Sequence, residues 1–325
     1  MNIVGLDIGY GFTKISDGAR QAIFPSVGGD VVQADFDNDL VKAGSGRTIT
    51  LDGRDWFYGD HAKKHSRNLL ALFARERTEQ RDLMRLLFYA ATVELGVSGQ
   101  VSLCTGLPVD WFADKDDVET LFRGPHVFAV DGQSRTVFVD QVAVIPQPFG
   151  SFFDAILGDH GELLDAGLAR SKVGILDVGT FTCDLALSDG LEYVAKNSGS
   201  KTVAISNVWR QVRDGIKARY GLEYELHQVD NIIRNGQTIT VRGQERSVAD
   251  LVKPAVDALA QQVLAFARDR WGRAGDFKRI ILTGGGAYYI APAVKQVYPH
   301  TLTLATPHAG NLRGFRKYAV RKFGQ

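Results

Sequence analysis

The sequence predicts an α/β protein made of two similar domains, each a mixed β-sheet flanked by helices. Three observations predict it. Two segments far apart in the chain read nearly alike: Leu6-Asp7-Ile8-Gly9 running to Thr13, and Leu176-Asp177-Val178-Gly179 running to Thr182. Each is an apolar strand ending in Asp-x-Gly, then a Gly/Thr turn, then a β-prone stretch stopping at Ser16-Asp17-Gly18 or Ser188-Asp189-Gly190. The second half also repeats the strand-then-helix plan of the first. Finally, 325 residues that are 45% apolar and 23% charged supply enough chain for two buried cores.

Residues 2–27 read as a β-meander: an apolar strand, the first turn, a second strand, the Asp17-Gly18 turn, then Gln21 to Phe24 and Pro25. Residues 28 to about 59 are rich in Gly and Asp, with strand-like pieces at Thr48 to Leu51 and Trp56 to Tyr58. They predict a small irregular subdomain inserted over about 28–75. Residues 78–95 carry Leu83, Leu86, Leu87, Ala90, Ala91 and Val93 on one helical stripe. Val101 to Thr105 is a strand, with more strand at Val127 to Val130, Thr136 to Val139 and Val142 to Ile145. Pro146-Gln147-Pro148-Phe149-Gly150 then leads to a helix at Ser151 to Leu157.

The polar stretch Gly158 to Arg170 is where the chain is expected to change domains. Val173 to Asp177 and Cys183 to Leu187 form the second hairpin, with a third strand at Tyr193 to Ala195. An amphipathic helix covers 202–220 through Ile205, Val208, Trp209, Val212, Ile216 and Tyr220. An outer piece at about 222–249 turns as a hairpin around Asn235-Gly236. A long helix runs from Pro254 to Trp271, a strand from Arg279 to Leu282, a short helix from Pro292 and a last helix over 311–323. The domains are therefore expected at 1–162 and 163–305, with 306–325 returning to the first.

Composition narrows the function classes. Lys plus Arg total 38 against 37 Asp plus Glu, so the chain as a whole is no electrostatic DNA binder. Asp7 interrupts the first apolar stretch and no basic region precedes it, which predicts no signal peptide. No apolar run reaches the roughly 18 to 20 residues of a membrane span. Two cysteines, Cys104 and Cys183, make no disulfide framework and fit a reducing cytoplasm. Among seven histidines no zinc spacing occurs; His61 and His65 flank Lys63 and Lys64, a solvated basic face.

Four motifs carry chemistry. In Asp7-Ile8-Gly9-Tyr10-Gly11-Phe12-Thr13-Lys14 a tight turn can aim several amides at phosphate oxygens, beside the point charge of Lys14. Asp at a strand end can hold a divalent cation, usually through water. A plain glycine hairpin would read the same way, but the second copy, ending in Thr182-Cys183-Asp184, argues against it. Gly284-Gly285-Gly286 follows a strand and precedes a helix, where backbone can approach a ligand; a flexible loop has the same composition. Gln147 sits between two prolines, as a water-orienting amide or as an ordinary turn residue. Neither G-x-G-x-x-G nor G-x-x-x-x-G-K-[ST] occurs.

In the order hairpin, Gln turn, hairpin, Gly-Gly-Gly, the chain resembles the actin-like ATPase superfamily with its duplicated, ribonuclease H-like fold. Asp7 to Lys14 is similar to that superfamily's first phosphate motif and Ile175 to Asp184 to its second. Ile145 to Ala155 resembles the first connecting segment, Leu282 to Ala287 the adenosine motif, and Asn311 to Val320 a degenerate second connecting helix. Gly5 to Lys14, together with Ile23-Phe24-Pro25-Ser26, is most similar to bacterial and archaeal actin-like proteins of the ParM/StbA/Alp plasmid-segregation type.

The resemblance implies a nucleotide in the cleft between two domains, ATP or GTP with Mg²⁺, hydrolysed by a protein that polymerises. By it Asp7 and Asp177 hold the Mg²⁺ shell, Gln147 positions the water, and Asp177 also serves catalysis. Gly9, Tyr10, Gly11, Phe12, Thr13 and Lys14 line the phosphates, with Gly179, Thr180, Phe181 and Thr182. Gly284, Gly285 and Gly286 meet the adenosine end, and Lys217 the base or ribose. Implied partners are further copies of the chain and a DNA-binding adaptor, with no direct nucleic-acid binding and no membrane. Two alternatives share the fold. A small-molecule kinase would need a general-base carboxylate near the cleft. A non-polymerising scaffold could use the basic residues Arg313, Arg316, Lys317, Arg321 and Lys322 as a tail, although Leu312, Phe315 and Tyr318 suit docking onto the core.

Overall fold

The computed structural model describes residues 2–32, 46–72 and 81–324. The chain divides into two compact units, Met1–Asp165 with Asn311–Gln325, and Ala166–Gly310.

Among the described residues the first unit holds ten strands: β1 (Asn2–Ile8), β2 (Phe12–Ser16), β3 (Gln21–Pro25), β4 (Val27–Asp30), β5 (Ile49–Leu51), β6 (Arg54–Tyr58), β7 (Leu69–Ala71), β8 (Gly99–Leu107), β9 (Gly124–Val130) and β10 (Gln133–Pro146). They join one sheet in the order β3-β2-β1-β8-β10-β9-β5-β6-β4-β7. β1 to β3 form the antiparallel meander, and β8 runs parallel to both β1 and β10. Val4 to Ile8 is buried without alternation, as a strand covered on both faces must be. The two pieces expected at 136–145 are one strand, broken in register between Val139 and Gln141 by a bulge. Residues 28–72 are not irregular where described: β4 to β7 extend the main sheet through pairing of β5 with β9. The rest of that expected subdomain lies outside the described residues, as do positions 78–80 of the helix expected over 78–95. That helix is described over Arg81–Leu95, its stripe from Leu83 to Val93 buried.

The C-terminal helix, Gly310–Phe323, is docked rather than a free tail. Leu312, Phe315 and Ala319 are fully buried, and Tyr318 stacks on Phe153 at 4.6 Å. Its cations have partners: Arg313 and Lys317 both bond the buried Asp154 carboxylate, and Arg321 donates to the Gly161 carbonyl.

The second unit repeats the plan with β11 (Lys172–Val178), β12 (Cys183–Asp189), β13 (Glu192–Tyr193), β14 (Gly199–Lys201), β15 (Thr238–Val241), β16 (Gln244–Ser247), β17 (Arg279–Thr283) and β18 (Thr301–Thr303). The order β13-β12-β11-β17-β18 matches β3-β2-β1-β8-β10, antiparallel on one side and parallel on the other. Three expectations need correction. Asn235-Gly236 ends a helix, Leu226–Arg234; the hairpin turns instead at Arg242-Gly243, both with positive φ as that tight turn demands. The long helix begins at Ala249, so Pro254 lies inside it, forfeiting a single bond near the N-terminus. The next helix likewise spans Ala287–Val297 and contains Pro292. Among the described residues, no helix is long and apolar enough to cross a membrane.

One buried histidine makes stability pH-dependent. His126 on β9 is 6% exposed; its Nε2 lies 2.8 Å from the Phe122 carbonyl and its Nδ1 3.2 Å from the Tyr89 hydroxyl. Nε2 must therefore donate; Nδ1 accepts from the Tyr89 hydroxyl when the ring is neutral and donates to it when the ring is charged. Burial holds its pKa below the usual 6.5. The unfolded chain then takes up the proton first, so stability is full above about pH 6.5 and falls as pH drops through that window. The Tm of the chain is expected to fall between pH 7 and pH 5, and His126→Gln to remove part of that fall. Identical pH profiles for the two proteins would rule this out.

Candidate functional site

The two duplicated hairpins share one turn geometry. The Gly9 amide donates to the Phe12 carbonyl at 3.0 Å, and the Gly179 amide to the Thr182 carbonyl at 2.9 Å. Each turn follows a buried aspartate one residue before the strand end: Asp7, 2% exposed, and Asp177, 6% exposed.

Register places Lys14 opposite Asp7. Lys14 Nζ reaches Asp7 Oδ2 at 2.7 Å, and Gln147 Nε2 donates to Asp7 Oδ1 at 2.9 Å. Gln147 is the first residue of the helix Gln147–Ile156, directly after β10, so the helix starts earlier than Ser151. Thr13 is fully buried and bonds the Ser26 hydroxyl, which takes its side chain away from solvent. Tyr10 packs edge-on to Trp111 at 5.9 Å. Gly9, Gly11, Phe12 and Lys14 stay partly exposed.

In the second hairpin the position equivalent to Lys14 is Asp184, opposite Asp177. Two carboxylates thus face one another on a buried hairpin, where like charges destabilise. Asp184 is compensated by hydroxyls, from Thr182 at 2.9 Å and from Ser200. The amides of Ile205 and Ser206, at the start of the helix Ile205–Tyr220, donate to the Gly179 and Thr180 carbonyls and brace the turn. The Arg210 guanidinium lies 5.9 Å from the Phe181 ring.

The Gly-Gly-Gly segment packs on the same strand end. Gly284 has φ +84, and a Cβ there would overlap both Asp177 Oδ1 and the Val178 carbonyl. The Gly286 amide donates to that carbonyl at 2.8 Å, whereas Gly285 faces open space. Lys217 lies about 17 Å along its helix from Ser206, so it cannot share a phosphate with Thr180. It lines a cavity of about 280 Å³ with Arg213, Asp214, Tyr224, Glu225 and Gln228, and pairs with Glu223 at 2.6 Å.

Comparison with known proteins gives this geometry a family. The family model "Actin like proteins N terminal domain" matches residues 5–150, and "Archaeal actin homologue MreB-like, C-terminal" matches 175–296. The chain belongs to the actin-like proteins. Among solved structures it is similar to Ta0583, an archaeal actin homologue in complex with ADP, at 19% identity and TM-score 0.82, over 99% of this chain and 100% of that one. A 15-stranded ParM filament from Clostridium botulinum matches at 19% identity and TM-score 0.77, over 98% and 99%. The actin-like protein Alp7A matches at 15% identity and TM-score 0.76, over 98% and 96%. At these identities the likeness is one of fold. No curated protein matches significantly.

Against an actin-like frame, the sequence motifs separate into two groups of residues, one in each unit. Asp7, Lys14 and Gln147 form a bonded trio in the first unit; Asp177, Gly179 to Thr182 and Gly284 to Gly286 gather in the second. Sequence reasoning missed Asp184, whose signal was there as the duplicate of Lys14, and the cavity residues around Lys217, which gave none. Among the described residues, no three His, Cys, Asp or Glu side chains gather as a metal cage. Mg²⁺ needs none: it keeps several waters and takes one or two carboxylates plus phosphate oxygens. Asp7 and Asp177, hard oxygen donors beside glycine turns, fit that chemistry.

Because Gly284 sits so tightly on Asp177, Gly284→Ala is expected to destabilise the protein by at least about 2 kcal/mol, from forced positive φ and overlap. Gly285→Ala should stay within about 0.5 kcal/mol. Denaturant midpoints check both, and equal midpoints for the pair would overturn this account of the loop.

Proposed function

We propose that this actin-like chain binds ATP or GTP with Mg²⁺, hydrolyses it, and assembles into filaments whose stability depends on that hydrolysis. The role is plasmid or DNA segregation, or another cytoskeletal task, with a DNA-binding adaptor as cargo link. Support comes from family membership and from the similar structures, which include a ParM filament and an ADP complex. A cytoplasmic setting is part of the proposal, supported by two buried cysteines, neither in a disulfide.

The observation that carries the reading is the trio on Asp7. An ionised carboxylate only accepts, so Gln147 must present its NH₂ end to Asp7 and its Oε1 elsewhere. That oxygen can accept a hydrogen bond from water and fix its angle of attack. Glutamine is no base, so its contribution is positioning. Lys14, released from Asp7, supplies a cation to phosphate oxygens; Gly9, Gly11, Thr180 and Thr182 offer amides or hydroxyls. Asp7 and Asp177 are the residues that would hold Mg²⁺, and the ion would neutralise phosphate charge. The base end lies with Gly285 and the Lys217 cavity.

Light scattering of the purified chain with Mg²⁺ should rise with ATP or GTP and stay low with ADP. No rise with any nucleotide across salt conditions would sink the filament reading. Gln147→Ala should slow phosphate release about 10- to 100-fold while leaving assembly intact; unchanged turnover would remove Gln147 from this role.

A further inference from the structure

The residues that present Asp7 and Gln147 are seated on one element, the helix that carries none of the phosphate or adenosine motifs. The C-terminal helix Gly310–Phe323 meets β1, β8 and the Gln147 helix at three glycines. A Cβ at Gly5, two residues before Asp7, would stand 2.6 Å from the Leu312 carbonyl oxygen and 2.7 Å from the Arg316 amide. At Gly150, one turn after Gln147, it would stand 2.6 Å from the Phe315 ring and from the Asn311 carbonyl oxygen. At Gly106 it would overlap the tip of the same ring and come within 2.9 Å of the Gln147 Cα. Phe315, fully buried, is thus wedged between the strand under Gln147 and the helix that begins with it.

Polar contacts fix the register of this seat. Asn311 Oδ1 accepts from the Ser151 hydroxyl at 2.6 Å and the Ser151 amide at 3.2 Å. Ser151 lies one turn beyond Gln147, and both members of the pair are buried. Further along, Asp154 receives Arg313 and Lys317. Close backbone approach without side-chain slack transmits displacement instead of absorbing it.

We propose that Asn311 and Phe315 are positioning residues for Gln147: the C-terminal helix sets the height and rotation of the Gln147 helix, and so the aim of its amide. The inference rests on the reading of Gln147 as the water-orienting residue, while the seating itself is independent of any nucleotide. Asn311→Asp keeps an acceptor for Ser151; Asn311→Ala removes it.

The test follows the side-chain NH₂ resonance of Gln147, assigned by its loss in Gln147→Ala, alongside single-turnover hydrolysis and nucleotide Kd. In Asn311→Ala the resonance is expected to move, kcat to fall about tenfold and Kd to stay within twofold. Asn311→Asp should restore both. If Asn311→Ala fails to fold, Ser151→Ala, which deletes one donor, stands in for it. An unmoved resonance overturns the inference whether or not the chain hydrolyses nucleotide. Normal kcat in Asn311→Ala beside a slow Gln147→Ala overturns it too, and leaves the proposed function standing. A wild-type chain without turnover sinks the proposed function, and the resonance still decides the seating.

Discussion

A buried carboxylate at the end of a central strand has to be satisfied, and Asp7 is satisfied from two distant stretches of sequence. Lys14 comes from the neighbouring strand of the same hairpin, Gln147 from the start of a helix 140 positions away. Desolvating Asp7 without them would be heavily unfavourable, since an unpaired buried charge loses its hydration with nothing in return. The first turn, β10 and the helix after it are therefore tied to one atom group. This bonding also orients an otherwise ambiguous amide.

The second hairpin keeps the turn and changes the charge. Its backbone closes with the same amide-to-carbonyl bond, yet Asp184 stands where Lys14 would. One hairpin holds an ion pair; the other sets two carboxyl groups opposite each other, with Asp184 receiving hydroxyls from Thr182 and Ser200. The two copies thus share a backbone and differ in charge: a cation stands opposite the aspartate in one, a second carboxyl group in the other.

Much of this was legible in residues because it is local. Asp-x-Gly followed by small polar residues dictates a strand and a tight turn, and both hairpins stand where their motifs are. The stripe from Leu83 to Val93 gave its helix, and Leu312 and Phe315 gave the docked face of the last one. Failures trace to context. Asn235-Gly236 has hairpin chemistry, but in place it closes a helix, and the turn falls on Arg242-Gly243. Pro254 and Pro292 read as helix starts, yet tertiary packing carries each helix past them at the loss of one bond. Gly284 reads as room for a ligand, whereas its missing side chain makes room for Asp177.

The sequence by itself determined the two hairpins, the family pattern and the residue types able to meet phosphate, because turn propensity and strand polarity are read over a few positions. Only the tertiary structure decided which of those residues touch: that Gln147 binds Asp7, that Thr13 turns inward to Ser26, and that the C-terminal helix lies against glycines from three elements. Those facts depend on close packing between segments far apart in the chain, and the spacing of residues carries no record of it.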